Sequence, residues 1–231
     1  MLKNKINKLV PSYAWITVAF YVLGTFVAFY LSRFINSGFH HFDITTPIDK
    51  KIPFVPIFIF IYILSYLQWF LGYLFICREG EKVCYDIMAT NLVAKVICFA
   101  IFVFFPTTML RANIVSTDIF SSLNGLIYNL DNPDNLLPSL HCLESWLLFR
   151  TAHKITKVGK WLKPAWFIFA LLVFASVLFV KQHVILDIPA AIIVCEISLF
   201  LSRKYNIGRI YGILNRKILK KGKEQIEQTN Q

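Results

Sequence analysis

Apolar residues gather along the chain into six runs separated by polar segments. The runs are Tyr13–Phe34, Phe54–Cys77, Ile87–Phe105, His141 to Phe149 or Ala152, Pro164–Val180 and Val184–Leu201. A helix needs about 20 residues to cross the hydrocarbon layer of a bilayer. The fourth run is short and partly polar; the others approach that length. The pattern predicts an all-α, polytopic membrane protein with a six-transmembrane-helix bundle. It forms a single integral-membrane domain over residues 1–231, with a basic tail over 203–231. The opening "MLKNKINKLV" is basic and then apolar, as in a signal peptide. The run behind it is too long for a signal core and lacks a clear small-residue cleavage site, so it is read as a retained first span.

Composition supports this reading. The chain has 231 residues, 57% of them hydrophobic and only 16% charged. Soluble domains carry about 25% charged residues. Mean hydropathy is +0.59, and the 22 Phe residues point to lipid as the solvent for much of the surface. The five cysteines form no C-x-x-C pair and sit in or beside apolar runs. They read as small buried apolar thiols, with no disulfide framework.

The net charge of +11 matters through its distribution. Arg33, Lys50, Lys51, Arg111 and Lys181 fall in segments on one side of the runs, and Lys95 lies within the third run. Every other Lys and Arg falls on the alternate side. The positive-inside rule then places both termini in the cytoplasm of a multi-pass cell-membrane protein. Cations divided among loops give no single basic face, which excludes a nucleic-acid binder.

That topology delivers Arg111, Ser139, His141, Lys181, His183 and Asp187 to the outer face. His183 and Asp187 are four residues apart, which on a helix places them on one face. A carboxylate there accepts the proton of one imidazole nitrogen and leaves the other free to attack. His141, on a different element, is available as a separate acid. Arg111 and Lys181 balance an anionic, phosphate-sized substrate. Ser139 and the amides at the start of the fourth run can donate to the same oxygens. Two histidines, an orienting Asp and two cations suit phosphoryl transfer through a phosphohistidine, with no metal and no cofactor.

The order Arg111, then Pro138-Ser139-Leu140-His141, then Ser176 with His183-x-x-x-Asp187 resembles the three-part signature of the type 2 phosphatidic acid phosphatase superfamily. The likeness covers the motif-bearing core, residues 105–189, and the six-run layout matches. It implies that His183 is the nucleophile, that His141 protonates the leaving group and that Asp187 supports His183. It implies phosphate-binding roles at Arg111, Ser139, Leu140 and Ser176. The sequence departs from the family at Phe104, Ala112, Leu140 and Val177, where Lys, Pro, Gly and Arg are usual. Lys181 is expected to replace one missing cation. The "PSLH" form also resembles the inositol phosphorylceramide synthase branch, which transfers phosphorylated head groups between lipids.

The resemblance implies a phosphorylated lipid substrate, a monoester or pyrophosphate hydrolysed at the outer leaflet, with head-group transfer as the alternative. A transporter or non-catalytic scaffold is the contrasting class. A transporter more often gathers its polar groups at the midplane, and a scaffold has no need of both histidines and the Asp. Membrane lipids are the other expected partners, and oligomeric state stays open. Elsewhere, His40 and His41 read as solvated, residues 131–135 as a turn, and residues 49–53 as an interfacial stop. Lys95 and Glu196 read as a pair near mid-membrane, and Glu144 as facing the bundle.

Overall fold

The computed structural model describes residues 10–114 and 118–229, with side chains through 218. Nine helices are described: α1 (Ser12–Asn36), α2 (Pro47–Lys51), α3 (Pro56–Glu79), α4 (Glu81–Phe104), α5 (Ile119–Leu130), α6 (Leu140–Thr151), α7 (Leu162–Phe179), α8 (Asp187–Lys204) and α9 (Gly208–Thr229). The only strands among the described residues, β1 (Phe42–Asp43) and β2 (Thr107–Thr108), pair in parallel. The chain is therefore all-helical, as the apolar runs predict.

Among the described residues, four helices are long and apolar enough to cross a membrane: α1, α3, α4 and α7. The fourth and sixth expected spans come out differently. α6 has 12 residues, and α8 carries Asp187, Glu196, Arg203 and Lys204 on 18. α6 packs inside the bundle against α3, α7 and α8, while α8 packs against α4 and α6 with Ile193, Ile197 and Phe200 left exposed. Glu144 and Ser145 of α6 are fully buried. A helix enclosed by other helices does not have to present an apolar face to lipid, so its polar side chains mark the interior. The outer surface is apolar instead: Phe26, Phe34, Leu67, Phe70, Val96 and Phe200 are all exposed.

The helix ends sort into two layers. At one end, Asn36 Nδ2 donates to Phe102 O (2.8 Å), Val55 N to Phe179 O (3.0 Å) and Ser139 N to Asp187 O (3.4 Å). At the opposite end, Tyr13 Oη donates to Cys77 O (2.7 Å) and Lys157 N to Glu79 (3.2 Å). There Gly80 turns the chain from α3 into α4 at φ 146°, a conformation that L side chains avoid. One apolar cluster, around Tyr62, Phe102, Leu143 and Val177, fills the first end. A second, around Ile76, Ile87, Leu148 and Trp166, fills the other. All five cysteines are buried and free.

Candidate active site

The turn between α7 and α8 carries His183. α8 begins only at Asp187, so the two residues do not share a helix as their spacing predicts. Asp187 reaches back across the turn instead. Its Oδ2 accepts from His183 Nδ1 (2.9 Å) and from Val184 N (3.0 Å). One fully buried carboxylate thus closes the turn and orients the imidazole. A proton on Nδ1 leaves the lone pair on Nε2, and His183 lines a cavity.

α2 pins this turn from outside. Asp49 is buried, and its carboxylate closes a capping box with Thr46. The other carboxylate oxygen accepts from Ile185 N (2.8 Å). The carbonyls of Asp49 and Ile52 accept from Lys181 Nζ (2.8 and 2.6 Å). Residues 49–53 are therefore more than an interfacial stop.

His141 is the second residue of α6. Its Nδ1 lies 3.0 Å from Ser65 Oγ, and Ser65 donates its own proton to Tyr62 O (2.6 Å). Ser65 then accepts from His141 Nδ1–H, and Nε2 is left facing Tyr66 Oη at 3.4 Å. This tautomer follows from the hydrogen-bond network. The ring stacks on Tyr62 (centroids 4.1 Å apart) and lies against Trp69 (4.8 Å). Tyr62, Ser65, Tyr66 and Trp69 recur at i, i+3, i+4 and i+7, one face of α3. The His141 and His183 ring centroids are 6.4 Å apart.

Both histidines open on a cavity of about 400 Å³ that Arg111, Gln182, Leu140 and Lys95 also line. Phe29 and Tyr30 reach it from Val27–Leu31, a π-helical stretch of α1. Such bulges often occur at functional sites. Arg111 donates to Asp131 O, to Tyr128 O (3.3 Å) and to Gln182 Oε1 (2.5 Å). Its guanidinium lies 4.5 Å from the Tyr128 ring centre. Burial pushes the Arg111 pKa down and Asp131 opposes the shift; an arginine stays charged regardless. Arg111 Nε and Gln182 Nε2 find no hydrogen-bond partner among the described residues, so two donors remain unspent beside the histidines.

Residues 131–135 form a clamp as well as a turn. Arg33 of α1 binds Asp131 (2.9 Å) and Asp134 (2.5 Å). Asn36 Nδ2 donates to Asn135 Oδ1 (2.7 Å). Burial raises the Asp134 pKa, with Arg33 acting against it. His41, read as solvated, lies with its Nε2 3.1 Å from Asn36 O, while His40 is exposed.

Several expectations are corrected. Lys181 turns away from the cavity, onto the α2 carbonyls. Ser139 is the buried N-cap of α6, where its Oγ accepts from Cys142 N (3.3 Å). Ser176 is buried within α7 and donates to Val173 O (2.8 Å). Neither serine lines the cavity. Lys95 pairs with Glu144 (2.6 Å) and not with Glu196. Glu196 takes Arg150 (2.5 Å) and Trp146 Nε1 (3.0 Å). Glu144 does face the bundle, bonded to Asn91 (2.9 Å) and Tyr73.

His141, His183, Asp187, Arg111 and Leu140 are thus brought together. Sequence reasoning gave no role to Ser65, Tyr62, Gln182 or Asp49. The one available signal for the first two was the polar-aromatic spacing inside an apolar run. Among the described residues, no three or more His, Cys, Asp or Glu side chains converge as metal ligands. No family model, curated protein or solved structure matches the chain, and its function is read from this geometry.

Proposed function

We propose that the chain is an integral-membrane phosphatase that hydrolyses lipid phosphate monoesters or pyrophosphates through a phosphohistidine. The observation that carries this reading is the His183–Asp187 pair. It leaves His183 Nε2 open on a cavity that also holds His141 and Arg111. The reading is that of the type 2 phosphatidic acid phosphatase superfamily. In it α1, α3, α4, α6, α7 and α8 form six spans, both termini are cytoplasmic and the histidines face outward.

His183 Nε2 attacks phosphorus, and the bond from phosphorus to the leaving oxygen breaks. His141 Nε2, protonated, gives its proton to that oxygen. With ring centroids 6.4 Å apart, both imidazoles flank the same part of the cavity, where one phosphoryl group could lie between them. Arg111 offsets charge on the phosphoryl oxygens, and the open end of α6 at Leu140 adds helix N-terminal amides. Water then attacks phosphorus and passes its proton to His141, and the nitrogen–phosphorus bond breaks. If a lipid hydroxyl replaces water, the outcome is head-group transfer.

Acid–base groups of this kind contribute about 10²–10⁴-fold. Purified protein in detergent, given phosphatidate labelled in its phosphate, is expected to form an acid-labile covalent adduct. His183→Ala abolishes the adduct, and His141→Ala lowers turnover by about 10²–10⁴. An adduct that survives His183→Ala overturns the mechanism. Reading free phosphate and new lipid together separates hydrolysis from transfer.

A further inference from the structure

A second charged cavity, of about 150 Å³, lies at the end of the bundle opposite His183. Lys82, Asp86, Thr90, Lys154, Ser202 and Arg203 line it. The cations arrive from three separate elements. Lys82 comes from the first turn of α4, Lys154 from the short turn Ala152–Lys154 after α6, and Arg203 from the last turn of α8. Lys82 is paired with Asp86 (2.7 Å). Among the described residues, no carboxylate pairs with Lys154 or Arg203. Burial pushes the Lys154 pKa down, and Arg203 and Lys82 push it further while Asp86 opposes them.

Cations at the last turn of a helix complement its dipole, which accounts for Arg203 by itself. It does not account for a half-buried lysine facing that arginine across a cavity with one carboxylate already taken. An anion between Lys154 and Arg203 would relieve their repulsion. A basic cavity between helices near a membrane face suits a phosphorylated head group. An adjoining groove shares Leu199 and Arg203 with the cavity and runs along α8 past Phe200. Phe200 is exposed and offers an apolar surface to an acyl chain.

We propose that the cavity between Lys82, Lys154 and Arg203 binds a phosphate group, carried by an anionic phospholipid or free in solution. The site lies apart from the histidines and stands whether or not they catalyse. Its test uses the full chain carrying His183→Ala, so that a substrate lipid is not consumed. Phosphatidate, phosphatidylcholine and inorganic phosphate are titrated separately. Bound ligand is counted by native mass spectrometry, and Tm is followed in parallel.

Phosphatidate is expected to bind and raise Tm, and Lys154→Gln/Arg203→Gln to weaken that binding at least about tenfold, a loss of about 1.4 kcal/mol. The same response to inorganic phosphate assigns a free-anion site, and a response to phosphatidate alone assigns a head group. Equal binding by the parent and the double variant overturns the proposal, as does a parent that binds neither ligand. If the double variant does not fold, Lys154→Gln and Arg203→Lys replace it, and only the first is expected to lose binding.

Discussion

Lys181 has a left-handed backbone, φ 53°, where the chain leaves α7. Its ammonium donates to the carbonyls of Asp49 in α2 and of Ile52 just beyond it, and burial lowers its pKa against the pull of Asp49. Lys181→Met removes two charge-assisted bonds, each worth up to about 1.5–3 kcal/mol. Water replaces part of that at a half-buried site, so the expected cost is about 1–2 kcal/mol of stability. KM for a lipid phosphate should stay within about twofold, as for a residue that does not touch substrate. Measuring Tm and KM together decides this. A hundredfold fall in turnover at unchanged Tm would return Lys181 to the phosphate. The sequence made legible which polar residues share one end of the molecule, but not where each side chain points. A long lysine has several partners in reach, and short hydroxyls such as those of Ser139 and Ser176 are satisfied by nearby backbone. The His183–Asp187 pair was legible even though its helix was not, because a four-residue reach closes in a turn as well.

Among the elements, α1, α3, α4 and α7 follow from apolar length alone. α5 is capped by Asp118, whose carboxylate accepts from Phe120 N (2.8 Å) and Ser121 N (3.1 Å), and no apolar run announces it. It is too short and mixed to register as a span. α2 is a five-residue helix whose importance lies in tertiary contacts that spacing does not encode. The seam between α3 and α6 is set by Gly72. A Cβ added there would meet Leu148 Cδ2 at 2.6 Å, and Leu148 is fully buried. Gly72→Ala is expected to cost about 1–3 kcal/mol, as overpacking does, and to push α6, with His141, away from Ser65. Adding Leu148→Ala should recover part of both stability and turnover. Denaturation and kinetics on the two single variants and the double variant measure the coupling. Purely additive losses would show that the seam does not hold His141 in place.

For the whole molecule, the two layers of helix ends predict two accessible faces. Because the native cysteines are buried, an introduced cysteine reports its own surroundings. His40→Cys should react with an impermeant thiol reagent on intact cells, and Lys160→Cys only after permeabilisation. The opposite pattern would invert the protein, and labelling of both on intact cells would break the six-span layout.

The pair between Lys95 of α4 and Glu144 of α6 has a consequence for how the chain is made. An unpaired charge at the centre of a bilayer costs about 2.5–3.5 kcal/mol. α6 brings Glu144, His141 and Ser145 on 12 residues, so lipid does not accept it alone. By the time α6 leaves the ribosome, α1, α3 and α4 have already been synthesised, and Lys95 waits between them for a counter-ion. α6 then meets α3 and its counter-ion already made, and α7 and α8, which complete its enclosure, follow it. Chain growth from the N-terminus therefore gives a short helix carrying a buried carboxylate a partner that is already in place.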